Sequence, residues 1–157
     1  MNTPTAILSL ALVIFGGGGT IAEDAKNKDE NQVKKVIHEF EDGLNKKELS
    51  RIEAVVDADI VVFENGHRNN GWIDFRDNHL VPEMKESGLE VKSGLVKLTV
   101  SKDIAWAYTS AHFILSGAQG ATRQAELWSV YVLEKRKGQW KIVLLDWSMR
   151  VQKAEVK

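Results

Sequence analysis

Residues 63–84 divide this chain into unlike halves. Two helical patterns precede them, and four strand patterns with no further helix follow. The stretch reads Phe63-Glu-Asn-Gly-His67-Arg-Asn-Asn-Gly71-Trp72-Ile-Asp-Phe75-Arg-Asp77-Asn-His79-Leu-Val-Pro82-Glu-Met84. It holds two of the four histidines and the densest polar cluster. A strand is expected to end at Phe63 and Glu64, with a turn through Asn65-Gly66. Asn69-Asn70-Gly71 punctuates the chain, and a helix is predicted from about Trp72. Trp72, Phe75 or Arg76, His79 and Leu80 then share one face at helical spacing. Pro82 falls inside that pattern and predicts a kink.

In the first half, Val33, Val36, Ile37, Phe40 and Leu44 make an amphipathic helix, with Asp29 as its expected N-cap and a break near Gly43 and Asn45. Leu49, Ile52, Val55 and Val56 mark a second short helix ended by Asp57-Ala58-Asp59, and Ile60–Phe63 is a strand. In the second half, Val96, Leu98 and Val100 alternate with Lys97 and Thr99. Trp106, Tyr108, Ser110, His112 and Ile114 share one face of the next strand, opposite Ala105, Ala107, Thr109, Ala111 and Phe113. Glu126, Trp128, Val130 and Val132 oppose Leu127, Ser129, Tyr131 and Leu133. Trp140, Ile142, Leu144, Asp146, Ser148 and Arg150 are in phase on the last strand. Helices followed by consecutive strands predict an α+β domain with the helices on one face of an antiparallel sheet. Both faces of the last three strands carry large apolar groups, so a homodimer through the uncovered sheet face is expected.

Residues 1–22 hold no charged side chain, and the apolar run Ala6–Phe15 ends in small residues. This reads as a signal peptide, too short for a bilayer span of roughly twenty residues. Export to the periplasm or outside is expected, with no stable membrane insertion after its removal. Residues 23–31 are polar and read as a flexible lead-in, 32–152 as the domain and 153–157 as a tail. The absence of cysteine excludes disulfides, thiolate catalysis and Cys-based metal sites. With 21 Lys+Arg against 22 Asp+Glu, no basic face suggests nucleic-acid binding.

Three segments carry a family resemblance. Asn45-Lys-Lys-Glu-Leu49-Ser-Arg-Ile52, followed by Asp57-Ala-Asp59-Ile-Val-Val-Phe63, is similar to a helix-turn-helix entry into a first strand. Phe63-Glu-x-Gly with Gly71-Trp72-x-Asp-Phe75 and His79-Leu-x-Pro-Glu83 resembles a subgroup of exported proteins. Glu126-Leu-Trp128-Ser-Val-Tyr-Val-Leu-Glu134 with Gly138-Gln-Trp140-Lys-Ile142 resembles a closing hairpin. Together they resemble the nuclear transport factor 2-like superfamily and its bacterial SnoaL-like members, over roughly residues 30–150. Many relatives carry His where this chain has Asp146. The resemblance implies a cone-shaped, cystatin-like fold in which N-terminal helices and a strongly curved antiparallel sheet enclose a pocket. The superfamily includes isomerases, dehydratases, cyclases and members without known activity, so the fold leaves function open.

The polar candidates for such a pocket are His67, Asp77, His79, Tyr108, His112, Glu126, Asp146 and Arg150. Glu126 and Asp146 lie in phase with large apolar residues, where a carboxylate needs a partner. Burial would raise its pKa toward what an acid or base needs; an ion pair with Arg123 or Arg150 is the structural alternative. His79, Glu126 and Asp146 are the catalytic candidates, with Tyr108 as a possible donor. His67, Trp72, His79, Tyr108, Trp128 and Asp146 are the expected ligand contacts. No His-x-His or His-x-x-x-His pair occurs, and neither a metal nor a cofactor is expected. The leading expectation is an apolar pocket for a small apolar or aromatic molecule. The alternatives are an isomerase- or dehydratase-like enzyme and a dimeric interaction domain.

Overall fold

The structure, a computed structural model, describes residues 18–86, 91–116 and 122–151. Helix α1, Gly18–Lys46, buries Val33, Ile37 and Phe40 along one stripe, with Val36 and Leu44 packed beside it. It begins well before Asp29, so that residue is not its N-cap. The Asp29 carboxylate instead accepts hydrogen bonds from Lys135 Nζ at 2.6 Å and Trp140 Nε1 at 3.2 Å. Residues 23–31, expected as a flexible lead-in, are therefore helical. Their Glu, Ala and Lys side chains lose little freedom in a helix, and the Asp29 tether fixes the end of the segment to the sheet. Residues 1–17 of the expected leader, and the tail 153–157, lie outside the described residues.

Nor does α1 break at Gly43. It stops where Lys47 turns left-handed at φ 57°. The Lys47 N–H bonds the Leu44 carbonyl at 3.1 Å and the Glu48 N–H reaches that of Gly43 at 2.8 Å, a Schellman cap. Gly43 serves packing instead. Helix α2, Leu49–Glu53, comes so close that a Cβ there would lie 2.6 Å from Ile52 Cγ1. Asn45 clamps the Val91 backbone, donating to its carbonyl at 2.8 Å and accepting from its N–H at 2.7 Å.

Strand β1, Val56–Glu64, starts earlier than expected and takes in Asp57-Ala58-Asp59. Asn65 and Gly66, at φ 48° and 87°, make the tight turn expected of Asn-Gly. The chain returns as β2, His67–Asn70. That strand was not expected, since His-Arg-Asn-Asn lacks the β-branched and aromatic residues that mark one. After Gly71, helix α3 (Trp72–Phe75) passes into a π-helical turn (Arg76–Leu80) and then α4 (Val81–Glu86). The irregularity expected at Pro82 thus appears one turn earlier. Pro82 has no N–H and its ring crowds the carbonyl of Asn78. The widened turn, closed by the Val81 N–H on the Arg76 carbonyl, makes room for it.

Strands β3 (Ser93–Ser101), β4 (Ile104–Ser116), β5 (Thr122–Arg136) and β6 (Gln139–Val151) complete a six-stranded sheet of order β2-β1-β6-β5-β4-β3. Every pairing is antiparallel except β1 with β6, which run parallel. The helices pack on the inner face, against Ala105, Ala107, Ala111, Leu127, Tyr131, Leu133, Leu145 and Trp147. Two bulges change the expected phasing. Val96 is the extra residue between the Leu95–Thr109 and Lys97–Tyr108 pairs, and it is exposed rather than aligned with Leu98 and Val100. Val143 is extra between the Ile142–Leu133 and Leu144–Val132 pairs. Trp140 and Ile142 therefore point inward before it, Leu145 and Trp147 after it. Leu144, Asp146, Ser148 and Arg150 are carried to the outer face, because one inserted residue reverses a period of two.

Candidate functional site

The β1–β2 hairpin and the α3–α4 segment enclose a cleft of about 480 Å³ lined by Glu64, Asn65, His67, Arg68, Asn69, Asn78, His79, Pro82 and Glu83. Glu64 follows Ile60 and Val62 in the inward phase of β1, so its carboxylate enters the protein just before the turn. His79 comes from the π turn. Its ring packs on Phe75 and Trp147 at centroid distances of 5.3 and 6.1 Å. The two meet with His79 Nε2 2.6 Å from Glu64 Oε2, their side chains only 11% and 15% exposed. Glu83 Oε1, on the next helical turn and half exposed, lies 3.4 Å from the same nitrogen.

The other ring nitrogen has a defined partner. The Asp74 carboxylate accepts from Asn78 Nδ2 and from the Asn70 N–H, both at 2.8 Å, and from the Asn69 side-chain amide. With its NH2 committed to Asp74, Asn69 turns its oxygen toward His79 Nδ1, 3.0 Å away. An amide oxygen only accepts, so Nδ1 carries a hydrogen. Nε2 therefore faces two carboxylates, which favour its protonated form. Burial alone would depress the imidazole, but Glu64 and then Glu83 outweigh it, and the His79 pKa is pushed up to about 9. The Nε2–Oε2 contact is short yet off the axis of a straight hydrogen bond, and both atoms are closed to solvent.

A second polar group lies on the far side of an aromatic wall made by Phe40, Phe75 and Trp147. Glu41 occupies the apolar stripe of α1, one position after Phe40, and is buried. Its Oε1 accepts from Ser93 Oγ and, at 3.3 Å, from the Tyr131 hydroxyl. Burial raises the Glu41 carboxyl above its usual range, and burial with the neighbouring Glu41 raises the Tyr131 phenol. A small pocket of about 160 Å³ opens beside it, lined by Lys34, Ile37, His38, Glu41, Ser93, Leu95 and Thr109.

The residues expected to meet in one pocket are distributed over four places. His79 and His67 line the cleft, His79 at its floor and His67 at its exposed rim. Trp72 is a core residue packed on Phe75. Tyr108, Trp128, Glu126 and Asp146 lie on the outer face of the sheet, with the inner-face layer of Leu127, Tyr131 and Trp147 between them and His79. Glu126 is tied to Arg150 Nη2 at 2.5 Å, the ion-pair alternative, with the exposed His112 at 3.8 Å. Asp146 sits in an outer cross-strand row between Phe63 and Val130. Asp77 is an exposed partner of Arg76. The cleft lining is polar, unlike the apolar cavity expected around Trp72 and Trp128. Glu64, Asn69, Glu83 and Glu41 were not singled out from the sequence. Glu64 and Glu41 nevertheless carried a signal, each being a carboxylate in the inward phase of its element.

Helices packed on a curled, mostly antiparallel six-stranded sheet define a nuclear transport factor 2-like, cystatin-like domain. More narrowly, the family model for the SnoaL-like domain matches residues 33–152, and the chain belongs to that family. No curated protein matches the sequence. Among solved structures, a ketosteroid isomerase-like protein from Erwinia carotovora atroseptica is 15% identical with a TM-score of 0.69, over 76% of this chain and 94% of that one. A nuclear transport factor 2-like superfamily protein from Salmonella enterica serovar Typhimurium is 16% identical with a TM-score of 0.66, over 86% and 96%. A type 2 hexachlorocyclohexane dehydrochlorinase is 17% identical with a TM-score of 0.66, over 85% and 95%. These likenesses establish the fold.

Proposed function

We propose that this domain binds a small, polar, hydrogen-bonding molecule in the cleft between the β1–β2 hairpin and α4. The observation that carries the reading is the Glu64–His79 pair, nearly buried at the floor of a 480 Å³ cleft. Closely approaching charges in a poorly solvated place are costly to assemble and characteristic of sites that bind or react. Glu64 and Glu83 make the floor acidic, which favours a neutral or cationic ligand with donors to offer. The pair also supplies what proton transfer requires, a carboxylate beside an imidazolium. Structural neighbours described as ketosteroid isomerase-like and as a dehydrochlorinase make isomerisation or elimination the reactions to assay first. Export, supported by the apolar run at residues 6–15, would place this activity outside the cytoplasm.

Binding is tested with a fragment library of polar amines, alcohols and ketones, read by thermal shift and by the fluorescence of Trp147, which contacts His79. A hit that shifts the wild type and is lost in Glu64→Gln and His79→Gln supports the reading. Hits that bind those variants equally well would place the ligand elsewhere.

A second reading rests on the outer sheet face. Phe63, Trp106, Tyr108, Trp128 and Val130 are 36–41% exposed there. Register joins Phe63, Asp146, Val130 and Tyr108 into one row. An exposed apolar row on a sheet supports association, and we propose that a second copy of this chain covers it.

A further inference from the structure

Resting on that reading of the cleft, we infer that Glu64, His79 and Glu83 form a mononuclear site for a divalent first-row transition metal, open on its cleft side. Three features of the geometry support it. The ligand atoms available from the three side chains all lie within 4.8 Å of one another. Glu64 Oε2 and His79 Nε2 are closed to solvent and approach at 2.6 Å without forming an aligned hydrogen bond, as two groups do when aimed at a common third point. And the Asp74–Asn69 relay holds the hydrogen on His79 Nδ1, so Nε2, the nitrogen that faces the carboxylates, is the one left to serve as a ligand. That outer-shell arrangement is the one that orients metal-binding histidines.

The distances suit a metal after a small adjustment. Donor atoms on a tetrahedral ion with bonds of about 2.0–2.1 Å are separated by roughly 3.3 Å. The Nε2–Glu83 Oε1 separation is already 3.4 Å. The Nε2–Glu64 Oε2 contact has to open by well under an ångström, within reach of a carboxylate rotation. Charge balances as well. Two carboxylates and a neutral imidazole would stand around the two positive charges of a divalent ion. One imidazole with two carboxylates suits Zn2+, Co2+, Mn2+ or Fe2+ better than Ca2+ or Mg2+, which take oxygen ligands. With three protein ligands, the remaining position faces the cleft, where an oxygen or nitrogen of the bound molecule would enter.

The test is calorimetric titration of chelator-treated full chain with Zn2+, and with Co2+ followed by its visible ligand-field bands. The expected result is one equivalent bound. Binding should be lost in His79→Gln and in Glu64→Gln, and weakened by about tenfold or more in Asn69→Ala, which removes the positioning partner. Glu83→Gln alters a half-exposed side chain and keeps the test valid if a buried variant misfolds. It should also weaken binding, while His112→Asn on the outer face should not. No bound equivalent, or an equivalent retained in the Glu83 and His79 variants, overturns the inference. Fragment binding measured in chelator separates the two ideas. If fragments still bind at Glu64 and His79 while Zn2+ does not, the metal site fails and the binding reading stands.

Discussion

Glu64 and His79 meet at 2.6 Å although one ends a strand and the other sits in a π-helical turn. The Asn65-Gly66 turn fixes where the strand ends, and Pro82 accounts for the widened turn beneath the histidine. Two backbone irregularities thus bring together an oppositely charged pair at the floor of the cleft.

That pair couples stability to pH. His79 is raised from an ordinary 6.5 to about 9. A raised folded-state pKa contributes stability that is complete below the unfolded value and is lost as pH rises through the folded one. Metal-free protein should therefore lose stability between about pH 6.5 and 9, by something on the order of 3 kcal/mol. Urea unfolding from pH 6 to 10 measures it, and His79→Gln should flatten the curve. An NMR titration of the His79 ring gives the midpoint independently.

Glu41 runs in the same direction for a different reason. Burial raises its carboxyl, so the folded state resists ionising it and the cost grows as pH rises above the ordinary carboxylate range. Glu41→Gln keeps an oxygen to accept from Ser93 and Tyr131 while removing the charge. It should raise the urea midpoint at pH 8 and change it little at pH 4. A lower midpoint at pH 8 would mean the carboxylate is held by partners that need its charge.

Gly43→Ala should destabilise by about 1–3 kcal/mol through overpacking. Its Cβ would meet Ile52 Cγ1 at 2.6 Å, and Ile52 is fully buried with little room to retreat. Helix propensity alone predicts the opposite sign, a gain of roughly 1 kcal/mol, so denaturant unfolding of this one variant decides which effect wins.

Val130→Arg should separate association from folding. The new guanidinium stands beside Asp146 on the neighbouring strand, so the fold tolerates it, but it puts a charge in the middle of the exposed apolar row. Sedimentation should show a dimer for the wild type and a monomer for the variant, with the circular dichroism of the fold unchanged and a melting temperature that no longer rises with protein concentration. A monomeric wild type would contradict a second copy on this face.

Much of the architecture was legible because apolar spacing reports burial directly. Val33, Ile37 and Phe40 marked the packed stripe of α1, and the Ala105–Ala111 face marked the inside of β4. Site residues were harder to place for specific reasons. Asp146 was in phase with Trp140 and Ile142 until the bulge at Val143 reversed the alternation, and nothing in Ile-Val-Leu-Leu announces a bulge. Tyr108 and Trp128 are large and apolar, hence plausible as pocket walls, yet they occupy the outer face while small Ala side chains face the helices. His79 was found because its helix face also carried Trp72 and Phe75. Its partner Glu64 was passed over as the last residue before a turn, although Ile60 and Val62 set its direction. Asn69 had no signal beyond turn chemistry, since its role depends on a strand that sequence preference does not favour.

On this reading the Glu64–His79 cleft is where the domain meets its ligand. The most direct measurement is a two-dimensional NMR fragment screen on labelled protein, following the backbone amides and the Trp147 Nε1–H signal. Binding fragments should shift Glu64, Asn69, His79, Glu83 and Trp147 together. Shifts confined to the outer-face residues Trp106, Tyr108, Trp128 and Val130, with the cleft unmoved, would contradict it.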